Sequence, residues 1–221
     1  MKPVYIGIDV QVSRPCVYVA VDKSGTMIDS GWFKNAREIF QSLEVLAEGQ
    51  VLHVGIDAPR QPLSKLRKWY WDGSKKQWRK KTARDKGLGR HCEVAVKAHN
   101  LANPQWTPLK QHAPEWMTLG FELFQTLGKI GAMYEVFPSA TYAMLKDDPS
   151  ARLTVNFSNV WKRGAGDLFD AMAAALTVKE FVEGRGSAVG GGDGQGTIIL
   201  PRRITNPIQE VLSWPGATAL R

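Results

Sequence analysis

Two cysteines in 221 residues, Cys16 and Cys92, are too few and too far apart to frame a disulfide scaffold. A chain of this length can bury a core without one. Cys16 lies in the apolar run Cys16-Val17-Tyr18-Val19-Ala20-Val21, where a small buried thiol is expected. Long apolar stretches are also missing, and none approaches the roughly 18 residues that span a bilayer. The opening Met1-Lys2-Pro3-Val4-Tyr5-Ile6-Gly7-Ile8-Asp9 puts Gly7 and Asp9 where a signal peptide needs unbroken apolar residues. Reduced cysteines, no span and no leader make a cytoplasmic protein without a membrane partner the expectation. Histidine is scarce, and His91, Cys92, His99 and His112 match no zinc-ligand spacing. A phosphate loop is absent too, because no Gly-Lys-Ser/Thr follows the glycines at 191, 192 and 194. There is no internal repeat.

What is present is an ordinary globular composition, 43% hydrophobic and 23% charged. The expectation is one domain over 1–201 followed by a C-terminal tail, 202–221. The net charge of +8 is unevenly spread. Between Arg60 and Arg90 stand twelve lysines and arginines against two acids, Asp72 and Asp85, so the rest of the chain is slightly acidic.

Val4 to Val10 is nearly continuous in β-favouring residues, as in a strand buried on both faces. Cys16 to Asp22 and Met27 to Phe33 read as further strands, making a meander. Asn35 followed by Glu38 is a helix-start pattern, and Ile39, Leu43 and Leu46 recur at helical spacing. Val51 to Asp57 returns to strand and Pro59 stops it. Residues 60–90 have weak periodicity and read as an inserted, mobile loop. Pro114 starts a helix with Trp116, Leu119, Leu123 and Leu127 on its apolar face. Tyr134 to Phe137 is a short strand, and Ser139 is expected to cap a helix after it. A strong helical pattern runs from Asp167 to Glu183, the glycine-dense stretch 184–196 reads as flexible, and a last strand spans Ile198 to Leu200. Strands mixed with helices in this order imply an α/β protein with a mixed central sheet flanked by helices.

Three separate strands end in an acid, Asp9, Asp57 and Glu135, and a helix starts with Asp167 and Asp170. In an open α/β sheet the carboxyl ends of strands converge on one edge, where sites form. Asp167 and Asp170, three apart, share a helix face about 5–6 Å apart. So many carboxylates in one place repel unless cations neutralise them, and hard oxygen donors suit Mg²⁺ or Mn²⁺. Asp9, Asp57, Glu135 and Asp170 are the expected metal ligands, and all five acids are candidate catalytic residues for two-metal phosphodiester cleavage. Individually each has a plainer role: Asp167 as a helix cap, Asp170 in its first turn, Asp57 in a turn before Ala58-Pro59.

The segments Ile6-Gly7-Ile8-Asp9, Val54-Gly55-Ile56-Asp57-Ala58-Pro59, Arg90-His91-Cys92-Glu93, Glu135-Val136-Phe137-Pro138-Ser139, Asp167-Leu168-Phe169-Asp170-Ala171-Met172-Ala173-Ala174-Ala175 and Gly194-Gln195-Gly196-Thr197-Ile198-Ile199-Leu200-Pro201 occur in order. In this the chain resembles the domain-of-unknown-function family numbered 429, described as predicted nucleases of the RNase H-like superfamily. The resemblance implies an RNase H-like fold and a carboxylate site at Asp9, Asp57, Glu135 and Asp170, with Asp167 alongside. It does not extend to the basic 60–90 segment, which is longer than the resemblance accounts for.

That segment interleaves cations with rings. Lys68, Lys75, Lys76, Arg79, Lys80 and Lys81 alternate with Trp69, Trp71 and Trp78, a pattern suited to nucleic acid, single strands included. The plainer reading is a solvated segment whose tryptophans pack on the core. The expected function is therefore metal-dependent nuclease on DNA or RNA. The alternatives are a non-catalytic nucleic-acid-binding protein of the same fold, or an actin-like ATP-binding phosphotransferase. The last ranks lowest, because Val10-Gln11-Val12-Ser13-Arg14 lacks the glycines of a phosphate turn.

Overall fold

Sequence order dictates the sheet. β1 (Lys2–Asp9), β2 (Cys16–Val21) and β3 (Met27–Phe33) form an antiparallel meander in this computed structural model, which describes residues 1–150 and 165–216. α1 (Ala36–Leu46) then crosses to β4 (Gln50–Asp57), parallel to β1. The Asn35 side chain accepts the Glu38 amide at 3.0 Å, so the start of α1 is the expected cap. After a two-stranded hairpin, β5 (Trp69–Asp72) and β6 (Gln77–Lys80), come α2 (His91–Ala98), α3 (Glu115–Leu127), β7 (Gly131–Glu135), α4 (Pro138–Leu145) and α5 (Ala165–Val182). β8 (Ser187–Gly190), β9 (Thr197–Leu200) and the short α6 (Gln209–Leu212) follow. The main sheet has seven strands in the order β3-β2-β1-β4-β7-β9-β8, mixed in direction and flanked by helices. Among the described residues no helix is long and apolar enough to cross a membrane.

Alternation along the strands splits the core in two. Val4, Ile6, Ile8, Val54 and Ile56 face α1 and α3, meeting Ile39, Leu43, Leu123 and Leu127. Tyr5, Val17 and Val19 face α5, meeting Leu168, Ala171, Ala174, Ala175 and Val178. At two points α5 lies almost on the strand backbone. A Cβ on Gly7 would sit 1.9 Å from the Ala171 carbonyl oxygen, and one on Gly55 would sit 2.5 Å from Val178 Cγ2. Only glycines on the strands, opposed by alanines on the helix, permit that approach.

Four expectations change. The 60–90 segment is not a continuous loop: β5 and β6 pair antiparallel, with Trp71 opposite Trp78. The strands are four residues each and carry rings and cations on both faces, so no apolar alternation marks them. Asp72 closes their turn, accepting the Ser74 amide at 3.1 Å and the Lys75 amide at 3.2 Å. α4 starts at Pro138, whose fixed φ suits a first helical position, so Ser139 is inside the helix and not its cap. The glycine-dense stretch holds a strand, β8. Beyond Arg202 the chain has order too, with Val211 of α6 buried and Trp214 packed on Trp78 and His91.

Because its clash is with helix backbone, Gly7→Ala should lower stability by about 3 kcal/mol, read as an earlier urea midpoint with unchanged slope. An unchanged midpoint would mean that α5 does not sit this close to the sheet.

Candidate functional site

β1 and β4 run parallel and in register, Asp9 opposite Asp57, so both carboxylates project to the α5 face. The repeated pattern Gly7-Ile8-Asp9 and Gly55-Ile56-Asp57 makes this possible: the glycines admit the helix, and two residues later the acids meet its first turns. Asp9, Asp57, Glu135 and Asp170 line one cleft of about 410 Å³ at the carboxyl edge of the sheet. Asp167, 3% exposed, lies beside it without lining it.

The five acids divide by partner. Asp167 is ion-paired with Arg14, which reaches it from the loop after β1, while its Oδ2 is buried without a hydrogen bond. Glu135 pairs in register with Ile56 and so projects to the opposite face from Asp57. There Arg90, 0% exposed, holds it with both terminal nitrogens, Nη1 donating to Oε2 at 2.6 Å, and the Arg60 amide donates to the same Oε2 at 2.9 Å. Arg90 Nε also donates to Glu93 Oε1 at 2.8 Å, and the Thr107 amide donates to Glu93 Oε2 at 3.0 Å. Burial lowers the pKa of such a guanidinium, but Glu135 and its neighbours hold Arg90 well above the usual value.

Asp9, Asp57 and Asp170 form no ion pair among the described residues. Gln11 Nε2 donates to Asp9 Oδ2 at 2.7 Å, and the Tyr142 hydroxyl donates to Asp170 Oδ1 at 2.8 Å. Burial pushes the Asp9 carboxyl up to about 6; the Gln11 hydrogen bond opposes this, the charges of Asp170 and Asp167 reinforce it, and the Arg14 charge opposes it more weakly. Asp57 keeps part of its surface open, yet the surrounding protein strips enough hydration to raise it well above the carboxylate range, with Asp9, Asp170 and Glu135 adding repulsion. Asp170 is raised by burial, opposed by Tyr142 and reinforced by Asp167. Like charges gathered in a partly desolvated cleft make it a place where added positive charge is strongly favoured.

A buried group, Cys92, Glu93 and Glu135, could also hold a metal ion, its ligand atoms lying within 4.8 Å of one another. The Arg90 guanidinium already stands as the cation between its two carboxylates, and burial raises the Cys92 thiol well above 9.0, which keeps it protonated. His91 and His99 serve the fold, bonding to the Val211 and Ala95 carbonyls at 2.8 and 2.7 Å.

None of the basic and aromatic residues expected to bind nucleic acid lines the acidic cleft. Lys68, Lys75, Lys76, Lys80 and Lys81 are exposed, and Trp69 and Trp71 are half-buried. Trp78 is committed to packing: its Nε1 donates to the Glu210 carbonyl at 2.7 Å and its ring meets Trp71, His91 and Trp214. Arg79 makes a two-pronged pair with Asp85 at 2.7 and 2.9 Å. Gln11, Arg14 and Tyr142 enter the site without having been expected there. The first two directly follow an acid-ending strand, which is a usable signal; nothing around Tyr142 marks it.

No family model, curated protein or solved structure matches this chain.

The raised Asp9 pKa has a stability consequence. Native protein binds more protons than unfolded chain between 3.8 and about 6, so this contribution is present below pH 3.8 and lost as pH rises through about 6. In chelator at pH 7.5, Asp9→Asn should therefore stabilise the protein by up to roughly 3 kcal/mol, and by much less at pH 4. Thermal melts check this; a variant less stable at both pH values would contradict it.

Proposed function

We propose that this protein is a divalent-metal-dependent nuclease with an RNase H-like core, of the kind its motif resemblance implies. One observation carries the reading. Of the five acids at the carboxyl edge, two are neutralised by Arg14 and Arg90, while Asp9, Asp57 and Asp170 share a cleft and form no ion pair among the described residues. Retaining three such carboxylates costs stability, and a bound cation offsets that cost. The mixed sheet, with acids at the ends of two adjacent parallel strands, supports the fold assignment.

The donor set fits a hard cation: three carboxylates and no thiolate or imidazole. Asp9, Asp57 and Asp170 would hold Mg²⁺ or Mn²⁺, which supplies activation of a water and neutralisation of charge on a phosphodiester. Glu135 leaves the ligand set, because Arg90 and the Arg60 amide occupy its oxygens. Its part is to fix one wall of the cleft. Gln11 and Tyr142 orient Asp9 and Asp170, as partners behind metal ligands commonly do. The exposed lysines of the β5–β6 hairpin supply sequence-independent attraction for phosphates.

Cleavage assays on single- and double-stranded DNA and RNA test the proposal. Strand scission should appear with Mg²⁺ or Mn²⁺, vanish in excess chelator, and fall to background in Asp57→Asn and Asp170→Asn of unchanged fold. Full cleavage in chelator, or by either variant, would refute it. Salt-sensitive binding with no cleavage of any substrate would favour the non-catalytic alternative.

A further inference from the structure

Another cavity, of about 530 Å³, has Arg67, Tyr70, Trp71, Lys76, Lys97 and Trp106 in its walls. It shares a stretch of chain with the acidic cleft: Asn103, Pro104 and Gln105 line the cleft, and Trp106 lines the cavity.

Arg67 is the unusual member. It is only 8% exposed, and its guanidinium carbon lies 4.2 Å from the Tyr70 ring centroid and 5.1 Å from that of Trp106. Its Nε is buried without a hydrogen-bond partner, and it forms no ion pair among the described residues. The nearest acids are already engaged, Glu93 by Arg90 and Thr107, Asp85 by Arg79 and Thr82. Burial lowers the Arg67 pKa, opposed by Tyr70 and by the charges of Glu93 and Asp85; ring faces help to hold the guanidinium, but a buried cation without an ion pair of its own among the described residues remains costly. Lys97 Nζ stands 5.6 Å from the Trp106 centroid, and Lys76 adds a further exposed cation. Among the described residues no cation lies over the Trp71 ring.

We propose that this cavity binds a nucleotide phosphate ester, the anion against Arg67 with Lys76 and Lys97 beside it and the base stacked on Trp71. The guanidinium fork matches phosphate oxygens, and a desolvated cation strengthens such bonds. The stacking ring selects a flat substituent over bare phosphate. The nucleotide comes either as a free mononucleotide or as one unit of a single strand running on into the acidic cleft. This rests on the nucleic-acid reading of that cleft.

Calorimetry on the full chain in chelator, where no metal-dependent cleavage intervenes, tests it. The probes are deoxyadenosine, its 5′-monophosphate and a deoxyadenosine decamer. The monophosphate should bind at least about tenfold more tightly than the nucleoside. Arg67→Gln and Trp71→Ala should each weaken it about tenfold, and Lys76→Gln about threefold. Lys76 and Trp71 carry solvent-exposed surface, so their variants keep the test open if Arg67→Gln does not fold. A decamer bound far more tightly than the monophosphate, and weakened by the same variants, identifies a single strand as the source; equal affinities identify the free nucleotide. Equal binding of nucleoside and monophosphate, monophosphate affinity unchanged in folded variants, or no binding of either nucleotide probe would overturn the proposal. Nucleotide binding without cleavage under any metal would sink the nuclease reading and leave this cavity standing. Cleavage with nucleotide affinity unmoved by the variants would do the reverse.

Discussion

The approach of α5 to the backbones of β1 and β4 is the constraint on which the site depends. Gly7 and Gly55 remove the side chains that would hold the helix off, and Ala171, Ala174 and Ala175 answer them from the helix side. The first turns of α5 bring Asp170 to the ends of two strands that already carry Asp9 and Asp57. The same contact is apolar and buried, so it supplies burial energy while it sets the spacing of the acids. Fold stability and site geometry are thus one feature at this point.

Electrostatics then sorts the acids. Arg14 and Arg90 each take one flanking carboxylate, by different means. Arg14 reaches in from a loop with much of its side chain in solvent, whereas Arg90 is fully enclosed and shared between Glu93 and Glu135. Removing one partner of a buried pair of the second kind commonly costs about 3–5 kcal/mol, so Glu135 belongs to the permanent framework. What remains is a trio that forms no ion pair among the described residues, with only the charge of Arg14 acting on Asp9 from beside Asp167. Their raised pKa values come first from burial, which disfavours each charged form, and then from the charge of neighbouring carboxylates.

Much of this was legible in the chain. The strand-ending acids, the meander, the Asn35 cap and the α5 helix all follow from local pattern, because each is set within a few residues. The in-register parallel pairing of Ile6-Gly7-Ile8-Asp9 with Val54-Gly55-Ile56-Asp57 came only with the structure, since strand ends with acids fix neither neighbour nor register. So did the side of the sheet that Glu135 faces. It depends on a one-residue offset between β4 and β7, and in a strand one residue reverses the face. The pairing of Arg90 with Glu93, three residues on, is of the local kind, but its pairing with Glu135 was hidden, since Glu135 is 45 residues away in sequence. The hairpin was missed because its alternation is aromatic and cationic on both faces. The fate of Trp78 depends on Trp214, near the far end of the described chain.

The central claim is that Asp9, Asp57 and Asp170 form one cation site, distinct from the Cys92-Glu93-Glu135 group. Titrating the protein into Mn²⁺ and following loss of the free-ion paramagnetic resonance signal tests it directly. The account predicts binding by the native chain that weakens at least about tenfold in Asp57→Asn and in Asp170→Asn, and that Cys92→Ser leaves unchanged. No binding, or binding that survives both aspartate changes and is lost in Cys92→Ser, would contradict it.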